Sequence, residues 1–155
     1  MATTLSAATL TVKITESILL NGSDQGATNT LSIGSINEVS KRIVSCPTSE
    51  IIILSFSTVS AAGTFIEADV RYIRITNKDD AHHVTLTFAD EDSTEFALKL
   101  DKGQSFIYNA DLEGGVVDTM HAGGSALTVE LNDLVSITSI AHTAACDLEI
   151  FVASA

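Results

Sequence analysis

Three groups of side chains in this chain are of types that do chemistry. They are the carboxylates of Asp79-Asp80, Asp90-Glu91-Asp92 and Asp101, the neighbours His82-His83, and the cysteines Cys46 and Cys146. Carboxylates on turns point to calcium, which takes about six to eight oxygens converging from one or two loops. Asp79-Asp80 and Asp90-Glu91-Asp92 flank one extended segment, so at ~3.3 Å per residue they stand roughly 25–30 Å apart and cannot share an ion. A strand that returns after Asp92 brings Asp101 back towards Asp79 and Asp80. That makes Asp79, Asp80 and Asp101 the one calcium candidate, with solvated turn carboxylates as the alternative. His82 and His83 are adjacent; on a strand they point to opposite faces and cannot easily hold one metal. His121 and His142 stand alone. Neither Cys46 nor Cys146 belongs to a CxxC or Cys/His pattern, and both sit beside apolar strand positions, so buried free thiols are expected, with a disulfide as the lesser alternative.

Catalytic patterns are missing from the sequence. There is no GxSxG, P-loop or GxGxxG, and Gly114-Gly115 and Gly123-Gly124 lack the following helix and lysine of a phosphate cradle. Aromatic residues are 5% of the chain and tryptophan is absent, which leaves little to stack a sugar ring. The expectation is a protein that is not an enzyme and uses no cofactor.

The elements that must position these residues read as strands. Leu10, Val12 and Ile14 alternate with threonine and lysine, the period of two of a half-buried strand. Asn21-Gly22 and Gln25-Gly26 supply turn chemistry, and 28–36 resumes in extended form, so the pair reads as a hairpin with a long loop. A strand over 38–46 ends at Pro47. Segment 50–59 is the most β-branched and reads as a central strand buried on both faces. In 69–76, Val70, Tyr72, Arg74 and Thr76 share one face and Arg71, Ile73 and Ile75 the other, with one arginine expected to be part-buried against a carboxylate. Strands over 83–88, 95–100 and 104–108 follow, and 70–108 reads as a four-stranded meander. Segments 135–141 and 147–153 read as a closing pair. The fold expected is all-β: an antiparallel sandwich, jelly-roll-like, as a single domain over 1–155. Residues 1–8 are a candidate N-terminal arm and the glycine-rich 111–124 a candidate loop or arm.

Composition narrows the partners. The chain has 155 residues, with 45% apolar, 18% charged and a net charge of −12. The pI is about 4.4 and the mean hydropathy +0.30. Eight basic residues against twenty acidic ones argue against neutralising nucleic-acid phosphates, and the sign disfavours anionic membranes. No segment approaches the ~20 apolar residues of a membrane helix. The N-terminal residues have neither the basic start nor the apolar core of a secretory signal, so residence in the cytoplasm where the chain is made is expected. High apolar content with few charges calls for burial against other subunits.

Three stretches carry a family resemblance. They are Asn21-Gly22 to Gln25-Gly26 with Ile36-Asn37-Glu38-Val39-Ser40-Lys41-Arg42-Ile43-Val44; Arg71-Tyr72-Ile73-Arg74-Ile75-Thr76-Asn77 with Phe96-Ala97-Leu98-Lys99-Leu100 and Gly103-Gln104-Ser105-Phe106; and Ile137-Thr138-Ser139-Ile140-Ala141 with Ala145 to Ala153. Together they resemble small virion proteins of tailed bacteriophages, particularly those of marine bacteria and cyanobacteria. The resemblance implies a structural protein located in the virion and assembled in the host cytoplasm. The commonest role is a capsid decoration or cement protein that contacts other virion proteins, above all the major capsid protein, and self-associates as a trimer or ring. A tail, fibre or adaptor component is the alternative. A surface carbohydrate-binding module is a third reading, and it requires Tyr72 or Tyr108 to be exposed in a groove.

Overall fold

Period-two alternation becomes thirteen strands in the computed structural model, which describes residues 5–109 and 134–155. In chain order these are β1 (Ala8–Glu16), β2 (Leu19–Leu20), β3 (Ser23–Asp24), β4 (Ala27–Ile36), β5 (Glu38–Cys46), β6 (Ile51–Ser57), β7 (Phe65–Ile66), β8 (Val70–Asn77), β9 (Val84–Asp90), β10 (Glu95–Leu100), β11 (Ser105–Tyr108), β12 (Leu134–Ala141) and β13 (Cys146–Ser154). The only helical turn among the described residues is a 3-10 turn, Glu67–Asp69.

Eight strands form two layers. One sheet runs β5-β13-β8-β11 and the other β6-β12-β9-β10, with β7 adding a short parallel edge beside β6. The chain changes layer from β5 to β6, from β7 to β8, from β8 to β9, from β10 to β11, from β11 to β12 and from β12 to β13. This strand order is that of a jelly roll, two Greek keys folded face to face. The all-β sandwich expected from the sequence is the observed fold. Between the layers lie Ile53, Leu54, Ile73, Ile75, Leu86, Ile137, Leu148 and Ile150, all 2% exposed or less. Burying each such side chain is worth roughly 1.5–3 kcal/mol.

Three expectations about strand placement are corrected. The segment 70–108 is not a meander, because β8 and β11 pair in one layer while the β9–β10 hairpin lies in the other. The last two strands do not pair; β12 lies between β6 and β9, and β13 between β5 and β8. Strand β6 is not buried on both faces, since Ile52 points outward and is 66% exposed. Alternation reports which face of a strand is apolar but not which layer the strand joins. On β8 the expected faces hold from Tyr72 to Thr76. An irregularity between Ala153 and Ser154 pairs Ser154 with Val70, and Val70 turns into the core.

Two buried polar side chains fasten the ends of the sandwich. Asn77 donates from Nδ2 to the carbonyls of His82 and Leu100 at 2.9 and 3.2 Å, and its Oδ1 accepts from the Asp79 amide. Asp90 is 4% exposed, and its Oδ1 accepts from the amides of Asp92 and Thr94 at 3.0 and 2.7 Å, closing the β9–β10 turn. Asp90 therefore belongs to the framework and is not a solvated turn carboxylate.

The remaining four strands form a separate ribbon on the β5-β13-β8-β11 sheet. Strands β1 and β4 pair from Ala8↔Ile36 to Glu16↔Ala27, and β2 and β3 extend the ribbon to its tip. At the tip Asn21 and Gly22 have φ of 49° and 79°, the left-handed pair of a two-residue hairpin turn. Gly26 packs where a Cβ would stand 2.4 Å from the Glu16 carbonyl oxygen. Residues 1–4 and 110–133 lie outside the described residues. The glycine-rich 111–124 and most of the N-terminal candidate arm 1–8 therefore fall there; residues 5–7 are exposed, and β1 begins at Ala8.

Candidate functional site

The calcium candidate resolves into local turn contacts. Asp79 Oδ1 accepts from the amides of Ala81 and His82 at 2.8 and 2.5 Å and lies 3.5 Å from His82 Nδ1. These two amides hold the Asp79 carboxyl below its ordinary range. Asp101 accepts from Lys99 Nζ at 3.0 Å and from the Lys102 amide at 2.9 Å, and the lysine keeps its carboxyl ionised below the usual range. Its turn does return to the same end of the sandwich, where the Gly103 amide donates to the Asn77 carbonyl. Yet no three His, Cys, Asp or Glu side chains among the described residues group in a way that could hold a metal, and Asp79, Asp80 and Asp101 do not form such a set.

The histidines and cysteines show proximities that spacing alone did not give. His82 and His83 precede β9 rather than sitting on it, and the His83 ring packs on His142 with centroids 4.5 Å apart. His121 lies outside the described residues. Cys46 and Cys146 are free, fully buried and directly opposite one another on β5 and β13. Cys46 Sγ lies 3.1 Å from Ser139 Oγ across the core. Burial pushes the Cys146 thiol up, with smaller contributions from Asp79, Cys46 and Asp147, so it is a weak nucleophile at neutral pH.

Of the two arginines on β8, Arg74 is the one paired with a carboxylate. Its Nη2 lies 2.6 Å from Glu149 Oε1, and Lys41 Nζ is 3.5 Å from Glu149 Oε2. Glu149 is 17% exposed, and the Arg74 hydrogen bond holds its carboxyl below the ordinary value. Arg71 instead donates to the Ala68 carbonyl at 2.5 Å.

Tyr72 is 4% exposed and meets Phe151 edge-on at 5.9 Å, while Tyr108 is half-buried against the main core. Burial raises the Tyr72 phenol, partly offset by Arg74. Tyr72 is thus covered and offers no open platform for a sugar. Clefts among the described residues include two near these side chains. One, of about 360 Å³, lies at the end of the sandwich near Glu38, Arg42 and Asp69. Arg42 is already committed there to the Ile53 carbonyl. The other, of about 300 Å³, runs under the ribbon between Val12, Ile14, Tyr72, Arg74, Ile107 and Phe151.

The pairing of β1 with β4 is the hairpin expected from the sequence; what sequence reading missed is that the expected long loop is itself a paired, exposed tip, β2 with β3. The outer face of the ribbon is polar, with Thr11↔Ser32, Lys13↔Thr30 and Thr15↔Thr28 across the strands. Its inner face carries Leu10, Val12, Ile14, Leu31 and Ile33. Leu10, Val12 and Ile33 cover a second small core of Tyr72, Ile107, Phe151, Ala153 and Ile36. Beyond that, Ile14, Leu31, Ile18, Leu19 and Leu20 are exposed apolar side chains of the ribbon; Leu19 is 72% exposed. From Ile14 to the tip the ribbon spans on the order of 20 Å at ~3.3 Å per residue. The signal available in the sequence was the run Ile18-Leu19-Leu20 placed directly before an Asn-Gly turn, where exposure is expected. A second apolar patch lies on the outer face of β5, where Val39 and Ile43 flank Lys41; Ile43 is 64% exposed. This arrangement can bind protein surface. No known family model matches the chain, and no curated protein matches it.

Proposed function

We propose that this chain is a structural protein of a tailed-bacteriophage particle, most simply a decoration protein that binds the capsid shell. The observation that carries the reading is the ribbon, whose apolar side chains Ile14, Leu31, Ile18, Leu19 and Leu20 stay exposed. Exposed apolar surface of this kind on an acidic body marks a protein–protein contact. The resemblance of the three sequence stretches supplies the kind of particle. Partners are the major capsid protein and other copies of the chain, and the net charge of −12 keeps the body away from packaged nucleic acid. Each copy would stabilise the shell by binding only its closed form, with roughly 800 Å² buried per partner in a standard-size interface.

The test is addition of purified protein to empty shells. Saturable binding with a rise in the shell melting temperature is the expected result. If the protein neither attaches nor shifts melting, the decoration reading fails. A count of about six or twelve copies per particle, rather than hundreds, moves the chain to the tail.

A further inference from the structure

We propose that the cleft under the ribbon binds a medium-chain carboxylate, with its head on the Tyr72 hydroxyl beside Arg74 and its chain between Val12, Ile14, Ile107 and Phe151. Tyr72 carries the inference. It is 4% exposed, and among the described residues its hydroxyl has no hydrogen-bond partner. A buried phenol ordinarily finds one, because the water given up on burial has to be replaced. Tyr72 instead lines a cleft of about 300 Å³, a volume near the lower end of those that hold small molecules. Burial raises the phenol, so it remains a proton donor at neutral pH, and what it lacks is an acceptor.

The rest of the lining decides the class of ligand. Val12 and Ile14 on β1, Ile107 on β11 and Phe151 on β13 give the cleft apolar walls. Its charged residues are Arg74 and Lys13, and among the described residues no acid lines it, on a molecule of net charge −12. The Arg74 guanidinium is near enough to the phenol to oppose the effect of burial on it. Arg74 donates to Glu149 Oε1 at 2.6 Å and to Thr76 Oγ1, which leaves other N–H groups of the guanidinium fork for a ligand. The neighbouring carboxylates stand outside the lining. Glu149 is shared between Arg74 and Lys41. Glu16 lies beyond Ile14 at the end of β1. Asp147 precedes Phe151 on β13 by about 13 Å at ~3.3 Å per residue. One polar end with a donor and a cation, and apolar walls elsewhere, fit a slender amphiphile with a single anionic head. A sugar or nucleotide would bring several polar groups that these walls could not satisfy.

This site is independent of shell binding, and its test uses the full chain alone. Calorimetric titration with octanoate is expected to show saturable binding with a dissociation constant on the order of 0.1 mM. Octanol, of the same length and without charge, should bind about tenfold more weakly, and so should octanoate to Tyr72→Phe. Without ligand, Tyr72→Phe should melt at the parent temperature or above it, because it removes a hydroxyl that has no partner. Ile14→Glu places a carboxylate in the wall of the cleft at a position already 41% exposed. It should abolish octanoate binding while the melting temperature holds. Absence of octanoate binding to the parent chain would mean that the cleft holds water alone, and it overturns the proposal. Equal binding of octanol and octanoate overturns it too, as does unchanged octanoate affinity in Tyr72→Phe or Ile14→Glu. A lower melting temperature in Tyr72→Phe would show that the hydroxyl already has a partner and equally overturn it.

Discussion

The two outer faces of the sandwich are built from strands of the same alternation, yet they are covered differently. On the β6-β12-β9-β10 sheet the outward side chains include Thr85, Thr87, Lys99, Ser136 and Thr138, and Glu50 accepts from Thr138 Oγ1 at 2.6 Å. That face is mostly short polar side chains, with Ile52 as an exposed apolar one. On the β5-β13-β8-β11 sheet the outward positions include Val39, Ile43, Tyr72, Ile107 and Phe151, with one carboxylate shared by Arg74 and Lys41. This face needs covering, and the ribbon covers only part of it. A sheet with one wet face is ordinary in an antiparallel sandwich. The apolar outer face is half covered by the ribbon, and Val39 and Ile43 stay exposed beside it.

The largest expected difference between the faces is in stability. Tyr72→Ala removes a side chain that is 4% exposed under the ribbon and stacked edge-on with Phe151. It should cost about 3 kcal/mol in urea unfolding, in line with large-to-small changes at buried aromatics. Thr87→Ala on the other face should stay within about 0.5 kcal/mol. Equal costs at the two positions would mean that the ribbon does not bury the face beneath it. A smaller, local loss is expected from Gly26→Ala. A Cβ there would meet the Glu16 carbonyl at 2.4 Å, and backbone oxygen cannot move aside as a side chain would. The strain should cost roughly 1–3 kcal/mol. Hydrogen exchange should quicken in β1 and β4 while β9 and β12 keep their protection; uniform quickening would mean that ribbon and sandwich unfold as one unit.

What the sequence disclosed follows from this division. The bounds of β5 and β10, the stop at Pro47 and the turn at Asn21-Gly22 were legible because alternation, a missing donor and left-handed backbone are local properties. That one of Arg71 and Arg74 pairs with a carboxylate was legible because a cation on a half-buried strand needs a partner; that it is Arg74 was not. Layer membership was not, since β8 and β9 show the same alternation whichever sheet they enter, and the meander reading followed from that. Cys46 and Cys146 read correctly as buried thiols, but nothing in a separation of one hundred positions discloses that they face each other. Asp90 reads only as part of an acidic turn, because its burial depends on the Asp92 and Thr94 amides turning back over it. The ribbon was read as an ordinary hairpin; its exposure arises from where the sheet ends beneath it, which no window of sequence contains.

Acid should discriminate the faces through Glu149. Its carboxyl is held below the ordinary value by Arg74 first and Lys41 after it. A depressed carboxyl contributes stability that is fully present above its unfolded value and is lost as pH falls through the lower folded value. Unfolding free energy should therefore fall as pH drops below about 4.5, and Glu149→Gln should flatten that part of the profile while lowering stability at pH 7. Thr138→Ala, on the other face, should leave the slope as it is. A slope equally steep in Glu149→Gln would place the acid sensitivity elsewhere, with Asp79 the next carboxyl held low by its two amides.

The smallest effect is the most diagnostic, because it separates exposure from use. Ile52 and Ile43 are almost equally exposed, 66% and 64%, and each is a β-branched side chain on an outer sheet face. Exchanging either for serine removes little buried area, so both variants should unfold within about 0.5 kcal/mol of the parent. Their self-association should nevertheless differ. Ile43 sits beside Lys41 on the edge strand of the sheet the ribbon packs on, whereas Ile52 lies opposite Thr138 on the other sheet. Ile43→Ser is therefore expected to weaken association in sedimentation equilibrium and Ile52→Ser to leave it unchanged. Two silent variants would mean that Ile43, like Ile52, is one of the scattered apolar residues any protein surface carries, and that the difference between the faces ends at the ribbon.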